Sequence, residues 1–132
     1  MELQGKQLKF GFFGAEIFDD YAKEKKHRTL NGILYSIIAE QKRVADKYET
    51  TFEKLTDDQR SEHVMDIATG EIISIFSAFG DVSRKEASQL LDKELTEGKS
   101  LPEIMATLFT ELFSSPLYTA IKVKEANPKQ PK

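Results

Sequence analysis

Apolar residues recur every three or four positions between residues 30 and 48, and this spacing constrains the fold more than any other feature of the sequence. An α-helix has 3.6 residues per turn, so side chains at this spacing lie along one face. The pattern predicts one long amphipathic helix, about 30 Å in length at 1.5 Å per residue. Its apolar stripe needs covering by other elements, and consists of Leu30, Ile33, Leu34, Ile37, Ile38, Val44, Ala45 and Tyr48.

Three later segments combine helical spacing with a start signal. Residues 56–59 form a capping box that predicts a helix ending near Gly80, and residues 83–86 cap a helix that ends near Gly98. Residues 100–103 combine an N-cap Ser, an early Pro and a Glu, which predicts a third helix. The apolar arc of the first of these helices is so wide that we expect the helix at the centre of a bundle. The arc comprises Val64, Ile67, Ala68, Ile72, Ile75, Phe76 and Phe79, and Met65 and Ile73 widen it.

The first thirteen residues follow a different pattern. Leu8, Phe10 and Phe12 alternate with other residues, which is typical of a half-buried strand, and residues 3–6 supply a partner strand with a Gly-containing turn. A short helix follows. The predicted fold is therefore mainly α, a single domain over residues 1–123 with five to six helices and a β-hairpin or strand within residues 1–13. Residues 124–132 are polar, basic and rich in Pro, which predicts a flexible, disordered tail.

Composition excludes several classes of site. The chain has 132 residues and no Cys, so disulfides, thiolate metal centres and cysteine nucleophiles are impossible. The net charge of −3 argues against general attraction to nucleic acid or anionic lipid. No apolar run approaches the roughly 18 residues that would span a bilayer, and the start does not resemble a secretory signal. We expect a cytoplasmic protein without a membrane partner.

Catalytic and metal-binding motifs are sparse. No phosphate-binding loop or nucleophile elbow occurs, and His63 with Asp66 supplies too few ligands for zinc. We therefore expect no catalytic residues, no metal and no cofactor. Glu71 falls inside the apolar arc of its helix, where an unpaired carboxylate is costly. Either it waits for a basic partner, including one on another subunit, or it pairs within the chain or reaches the surface. An enzyme invisible to motifs would have to use Glu71 and His63.

Residues 83–95 and 102–113 resemble the layout of a helix-turn-helix. The second helix would enter the major groove, yet residues 101–115 contain Glu103 and Glu111 and no Lys or Arg. We therefore expect no nucleic acid partner. A small DNA-binding or host-directed regulatory protein of a phage or mobile element remains the alternative function.

Apolar residues exceed what a small bundle needs at three places, the third being Leu117-Tyr118. They are either ordinary core or surfaces that bind another protein. One set covers about half the circumference of the last long helix, and we expect it to be shared between the core and a groove for a partner. A second set lies near the N-terminus. The predicted partner-binding residues are Ile104, Met105, Leu108, Phe109, Leu112 and Phe113, together with Phe10, Phe12 and Phe13.

Three features of the chain are its opening sequence Met-Glu-Leu-Gln-Gly-Lys-Gln-Leu-Lys-Phe-Gly-Phe, the order of its helices, and its closing section from residues 90–94 through 112–116. In these features the chain resembles the tail assembly chaperones of long-tailed phages that infect Gram-positive bacteria. The resemblance implies a non-enzymatic protein of the host cytoplasm, absent from the mature virion, that binds the long helical tape measure protein and keeps it soluble. It also implies a longer form made by frameshifting in many members. From the length of such a client we expect self-association or coating by many copies.

Overall fold

A computed structural model of the chain describes residues 1–63 and 66–119. Two short strands, β1 (Glu2–Leu3) and β2 (Lys6–Gln7), form an antiparallel hairpin. The helices are α1 (Phe12–Lys25), α2 (Leu30–Lys47), α3 (Asp57–Arg60), α4 (Thr69–Gly80), α5 (Arg84–Thr96) and α6 (Leu101–Phe113), with a 3₁₀ turn at Phe52–Lys54. The predicted mainly α fold with an N-terminal hairpin is confirmed. The predicted tail, residues 124–132, lies outside the described residues.

Helix α4 occupies the centre of the fold. It packs against α1 on one side and α5 on the other, and almost every residue from Glu71 to its end is buried. The main core joins α4 to apolar faces of α1, α2, α5 and α6; its largest fully buried members are Phe18, Phe76, Leu30, Ile33, Leu34, Ile75, Leu108 and Leu112. A smaller cluster of Val44, Ala45 and Leu55 lies under the end of α2.

Side-chain caps start the helices where the sequence predicts. Thr29 Oγ1 accepts the Gly32 amide at 3.1 Å at the start of α2. Ser83 Oγ accepts the Glu86 amide at 3.0 Å at the start of α5. At α6 the hydroxyl of Ser100 and the carboxylate of Glu103 each accept the other residue's amide. Each cap satisfies amides that have no partner inside the helix.

The single helix predicted from residue 56 to Gly80 is wrong, since the segment forms two helices. The predicted capping box of Thr56 and Gln59 is present, but it opens only the four residues of α3. Arg60 then donates to the carbonyls of Phe52 and Glu53 at 3.2 and 2.5 Å, which ties α3 to the 3₁₀ turn. A new helix starts at Thr69, where the Glu71 carboxylate accepts the Ala68 amide at 3.1 Å. Val64 lies outside the described residues.

The hairpin is present, but its strands are not the predicted ones. Leu3 pairs with Lys6, and the two-residue turn between them has positive φ at Gln4 (53°) and Gly5 (82°), as a tight hairpin turn requires. The strand predicted over residues 8–12 is wrong. Leu8 is buried, but the Lys9 amide donates to the Phe79 carbonyl of α4 at 2.9 Å, and Phe12 already belongs to α1. An extended segment packed on a helix end gives the same alternation as a strand.

Gly14 lies inside α1 at the crossing with α4. A Cβ placed on it would lie 2.5 Å from Phe79 Cδ1 and 3.2 Å from the Ala78 carbonyl oxygen. Any larger residue would therefore push the two helices apart or displace a buried ring. This close crossing fixes the amino end of α1 beside the carboxyl end of α4, where the candidate site lies.

Candidate functional site

Two adjacent aromatic side chains are exposed in the first turn of α1. Phe12 and Phe13 are each 67% exposed, whereas the other exposed large apolar residues of the described chain, Tyr35, Leu95 and Leu101, range from 38% to 42%. Phe10 next to them is half-buried, with its ring 5.2 Å from that of Phe79. Of the three phenylalanines predicted to contact a partner, the structure therefore places two on the surface and one partly in the core.

An open cleft of about 440 Å³ lies beside Phe13. Three segments line it: the hairpin and the segment after it, the first turn of α1, and the carboxyl end of α4. Phe13, Ala78 and Phe79 supply apolar surface, and Gly14 and Gly80 bring no side chain into it. This volume falls in the range of sites that hold small ligands, of order 300–1,000 Å³, and suits a few side chains of another protein.

Charged groups flank the cleft. Lys6 and Lys9 line it from the hairpin and the segment after it, and Asp81, the C-cap of α4, lines it from the end of that helix. Neither lysine forms an ion pair with a residue in the described ranges. Gly11 caps α1 without a side-chain hydrogen bond, and the first turn contains no acid. The hairpin side of the cleft therefore carries positive charge in a chain of net negative charge.

The apolar face of α6 is used inside the protein. Five of its six predicted partner-binding residues are at most 7% exposed, namely Ile104, Met105, Leu108, Phe109 and Leu112. The sixth, Phe113, is half-buried with its ring 4.8 Å from Tyr118 in an edge contact. The chain after α6 supplies part of the cover, since Leu117 is also buried. In the structure these five side chains of α6 pack in the core and do not line a groove for a partner.

Glu71 is paired within the chain. Its carboxylate is buried and accepts four hydrogen bonds: from the Arg28 backbone amide at 3.0 Å, from Arg28 Nε at 3.2 Å and Nη2 at 2.9 Å, and from the Ala68 amide at 3.1 Å. Burial by itself raises the pKa of Glu71, but the hydrogen bonds from Arg28 and Ala68 outweigh it and lower the pKa. The ion pair joins the α1–α2 connection to the start of α4, so it needs no partner on another subunit.

Two buried serines of α4, Ser74 and Ser77, are also hydrogen-bonded to neighbouring segments, and the sequence analysis did not identify them. Arg84 Nε donates to Ser74 Oγ at 3.0 Å, and Ser77 Oγ donates to the Val82 carbonyl at 2.6 Å. With Glu71 they repeat every third residue on an otherwise apolar helix. This spacing is visible in the sequence. In the structure, each of these three buried polar side chains has a hydrogen-bond partner on a neighbouring segment.

His63 is half-buried beside the smaller cluster. Its ring meets the Phe52 ring edge-on at 5.7 Å, and its Nε2 atom is buried without a hydrogen-bond partner in the described chain. Burial lowers the pKa of His63, and the nearby Glu40 carboxylate opposes this only in part. The neutral ring is therefore the form that the fold favours.

We expect His63 to make folding sensitive to mild acid. Because its folded pKa lies below the ordinary value of 6.5, its contribution to stability is complete above that pH and is lost as the pH falls through it. Between about pH 7.5 and 5.5, His63→Phe should lose less unfolding free energy than the wild type, and the difference should be about 1 kcal/mol or less. Urea titrations of both proteins at each pH measure this difference. An unchanged pH dependence would contradict it.

Helix α6, the second helix of the predicted helix-turn-helix layout, exposes acidic side chains. Glu103 and Glu111 are exposed on it, and it contains no Lys or Arg. Negative charge at this position opposes contact with phosphate.

No protein-family model, curated protein or solved structure matches this chain. None of the helices within the described ranges combines the length and apolar content needed to cross a bilayer. Across the same ranges, no three acidic or histidine side chains converge as ligands for a metal ion.

Proposed function

We propose that this protein is a non-catalytic assembly chaperone that binds apolar helical segments of a client protein through the cleft beside Phe13. The observation that carries the proposal is the exposure of Phe12 and Phe13 next to an apolar cleft. Leaving a Phe side chain exposed forgoes about 1.5–3 kcal/mol of burial free energy. Side chains exposed in this way at a concave site are typical of surfaces that bind other proteins.

The tape measure protein of a phage tail is the client that we propose. The opening phrase that resembles the tail assembly chaperones includes residues 6–12, which supply one side of the cleft and the first exposed phenylalanine. A long, largely helical and apolar chain presents many equivalent segments to a site of this size. Each contact is small, so tight binding requires many copies along one client, either side by side or self-associated. The chaperone would act in the host cytoplasm and be absent from the mature virion.

Co-expression with the long helical product of the neighbouring gene tests the proposal. We expect the client to become soluble and to co-purify with this protein, and light scattering should show several copies per client. An unrelated helical protein of similar size and charge, expressed with the same client, is the control. A client that stays insoluble in both cultures, or a strict monomer both alone and with client, would contradict the proposal.

A further inference from the structure

The structure also indicates which client segments the cleft selects. We infer that it prefers helical segments in which an acidic residue lies beside the apolar anchor, and this rests on the proposed function, since the occupant is the client. Apolar surface alone binds all segments of an apolar helical chain about equally. Charged residues at the edge of the cleft can distinguish segments that differ in charge.

Lys6 and Lys9 provide that charge, and their positions are fixed by the fold. Lys6 is held in β2 opposite Leu3, and Lys9 is anchored by its amide to the Phe79 carbonyl at 2.9 Å. Both side chains are exposed and have no acidic partner within the described part of the chain. They differ in this from Arg43, which pairs with Glu40 at 2.7 Å, and from Lys47, which pairs with Glu62 at 2.7 Å. An incoming carboxylate therefore does not have to displace an existing ion pair.

The remaining charges give the bound segment a direction. The uncapped first turn of α1 adds partial positive charge to the cleft. Asp81 also lines the cleft, at the carboxyl end of α4 where the helix dipole is negative. An acidic residue is therefore favoured toward the hairpin and disfavoured toward Asp81. Because the whole chain carries −3, this attraction is local to the cleft.

The preference should be measurable but modest. Both lysines are exposed, and each exposed ion pair contributes only a small free energy that salt screens. We expect about a fivefold tighter Kd for an acidic segment than for a basic one at low salt. At about 0.5 M salt the two should bind within about twofold of each other.

The test compares two synthetic helical peptides with the same apolar residues, one with Glu and the other with Lys beside the anchor. Fluorescence anisotropy with the full chain should show the acidic preference, and Lys6→Glu/Lys9→Glu should reverse it. The matched control Lys54→Glu/Lys93→Glu makes the same change of charge at exposed positions away from the cleft and should leave the preference unchanged.

The outcomes separate this inference from the proposed function. Equal binding of both peptides, or a preference that Lys6→Glu/Lys9→Glu does not alter, overturns the inference. If neither peptide binds while the co-expressed client stays soluble, the inferred preference for acidic segments is wrong and the proposed chaperone function is retained. A dimer of the free protein that Lys6→Glu/Lys9→Glu dissolves would assign the cleft to a second copy and would also overturn it.

Discussion

Arg28→Ala should lower the free energy of unfolding by about 3 kcal/mol, because it leaves the Glu71 carboxylate buried without its cation. Glu71 is 4% exposed, and two of its hydrogen bonds come from the Arg28 side chain. In a domain of this size the loss corresponds to a fall in Tm of about 10 °C. Urea and thermal unfolding followed by circular dichroism measure both quantities.

Arg43→Ala is the matched control, since Arg43 also pairs with a Glu. Both side chains of that pair are more exposed, at 56% and 24%, than those of Arg28 and Glu71, at 39% and 6%. It should cost less than about 1 kcal/mol. The double variant Arg28→Met/Glu71→Leu should recover only part of the stability, because it removes the unpaired charge but leaves the backbone amides of Arg28 and Ala68 without their acceptor. The folded pKa of Glu71 lies below the ordinary value of 4.5. The wild type therefore loses stability as the pH falls from 4.5 through that folded pKa, and its unfolding free energy should approach that of Arg28→Ala. Equal losses for Arg28→Ala and Arg43→Ala would contradict the interpretation.

Phe12→Ser/Phe13→Ser should weaken client binding at least about 30-fold, the effect of losing an aromatic residue that carries most of a contact. Both side chains are 67% exposed in the free protein, so the unfolding free energy should change by no more than about 0.5 kcal/mol. Co-purification and client solubility, measured beside a urea titration of the variant alone, separate binding from stability.

Single variants locate the contact within this pair. Phe13 lines the cleft and Phe12 does not, so Phe13→Ser should have the larger effect. Tyr35→Ser/Leu101→Ser removes two exposed apolar side chains elsewhere, at 40% and 38% exposure, and should leave client binding intact. A loss of binding that is equal in the control and in Phe12→Ser/Phe13→Ser would show that general surface hydrophobicity, and not this cleft, holds the client.

Local signals in the sequence predicted local structure well. The starts of α5 and α6 follow from Ser83 and Ser100, because a cap is made by residues three positions apart. The long stripe of α2 likewise predicted a helix from Leu30. The errors occurred where a distant segment decides the outcome. Residues 56–80 carry helical periodicity throughout, yet they form two helices, and the second begins where Glu71 pairs with Arg28, 43 residues away.

The candidate site was predictable only in part. Phe12 and Phe13 were among the predicted contact residues, and the structure shows them exposed; their role in binding stays a prediction. The partner of Glu71 is 43 residues away in the chain, so no local pattern identifies it. The same limit applies to α6: an apolar arc such as that around Leu108 looks the same whether the core or a partner covers it. Burial is a tertiary property, and periodicity alone does not supply it.

The cleft is assembled from segments that are made at different times. Its hairpin and α1 sides lie within residues 6–14, whereas its α4 side consists of residues 78–81, and the Lys9 amide joins the two through the Phe79 carbonyl. During synthesis the early segments leave the ribosome long before α4 exists to receive them. An incompletely folded copy therefore has Phe12 and Phe13 but no cleft. Under the proposed function, a client helix can be bound only after α4 has been synthesised and has packed against α1.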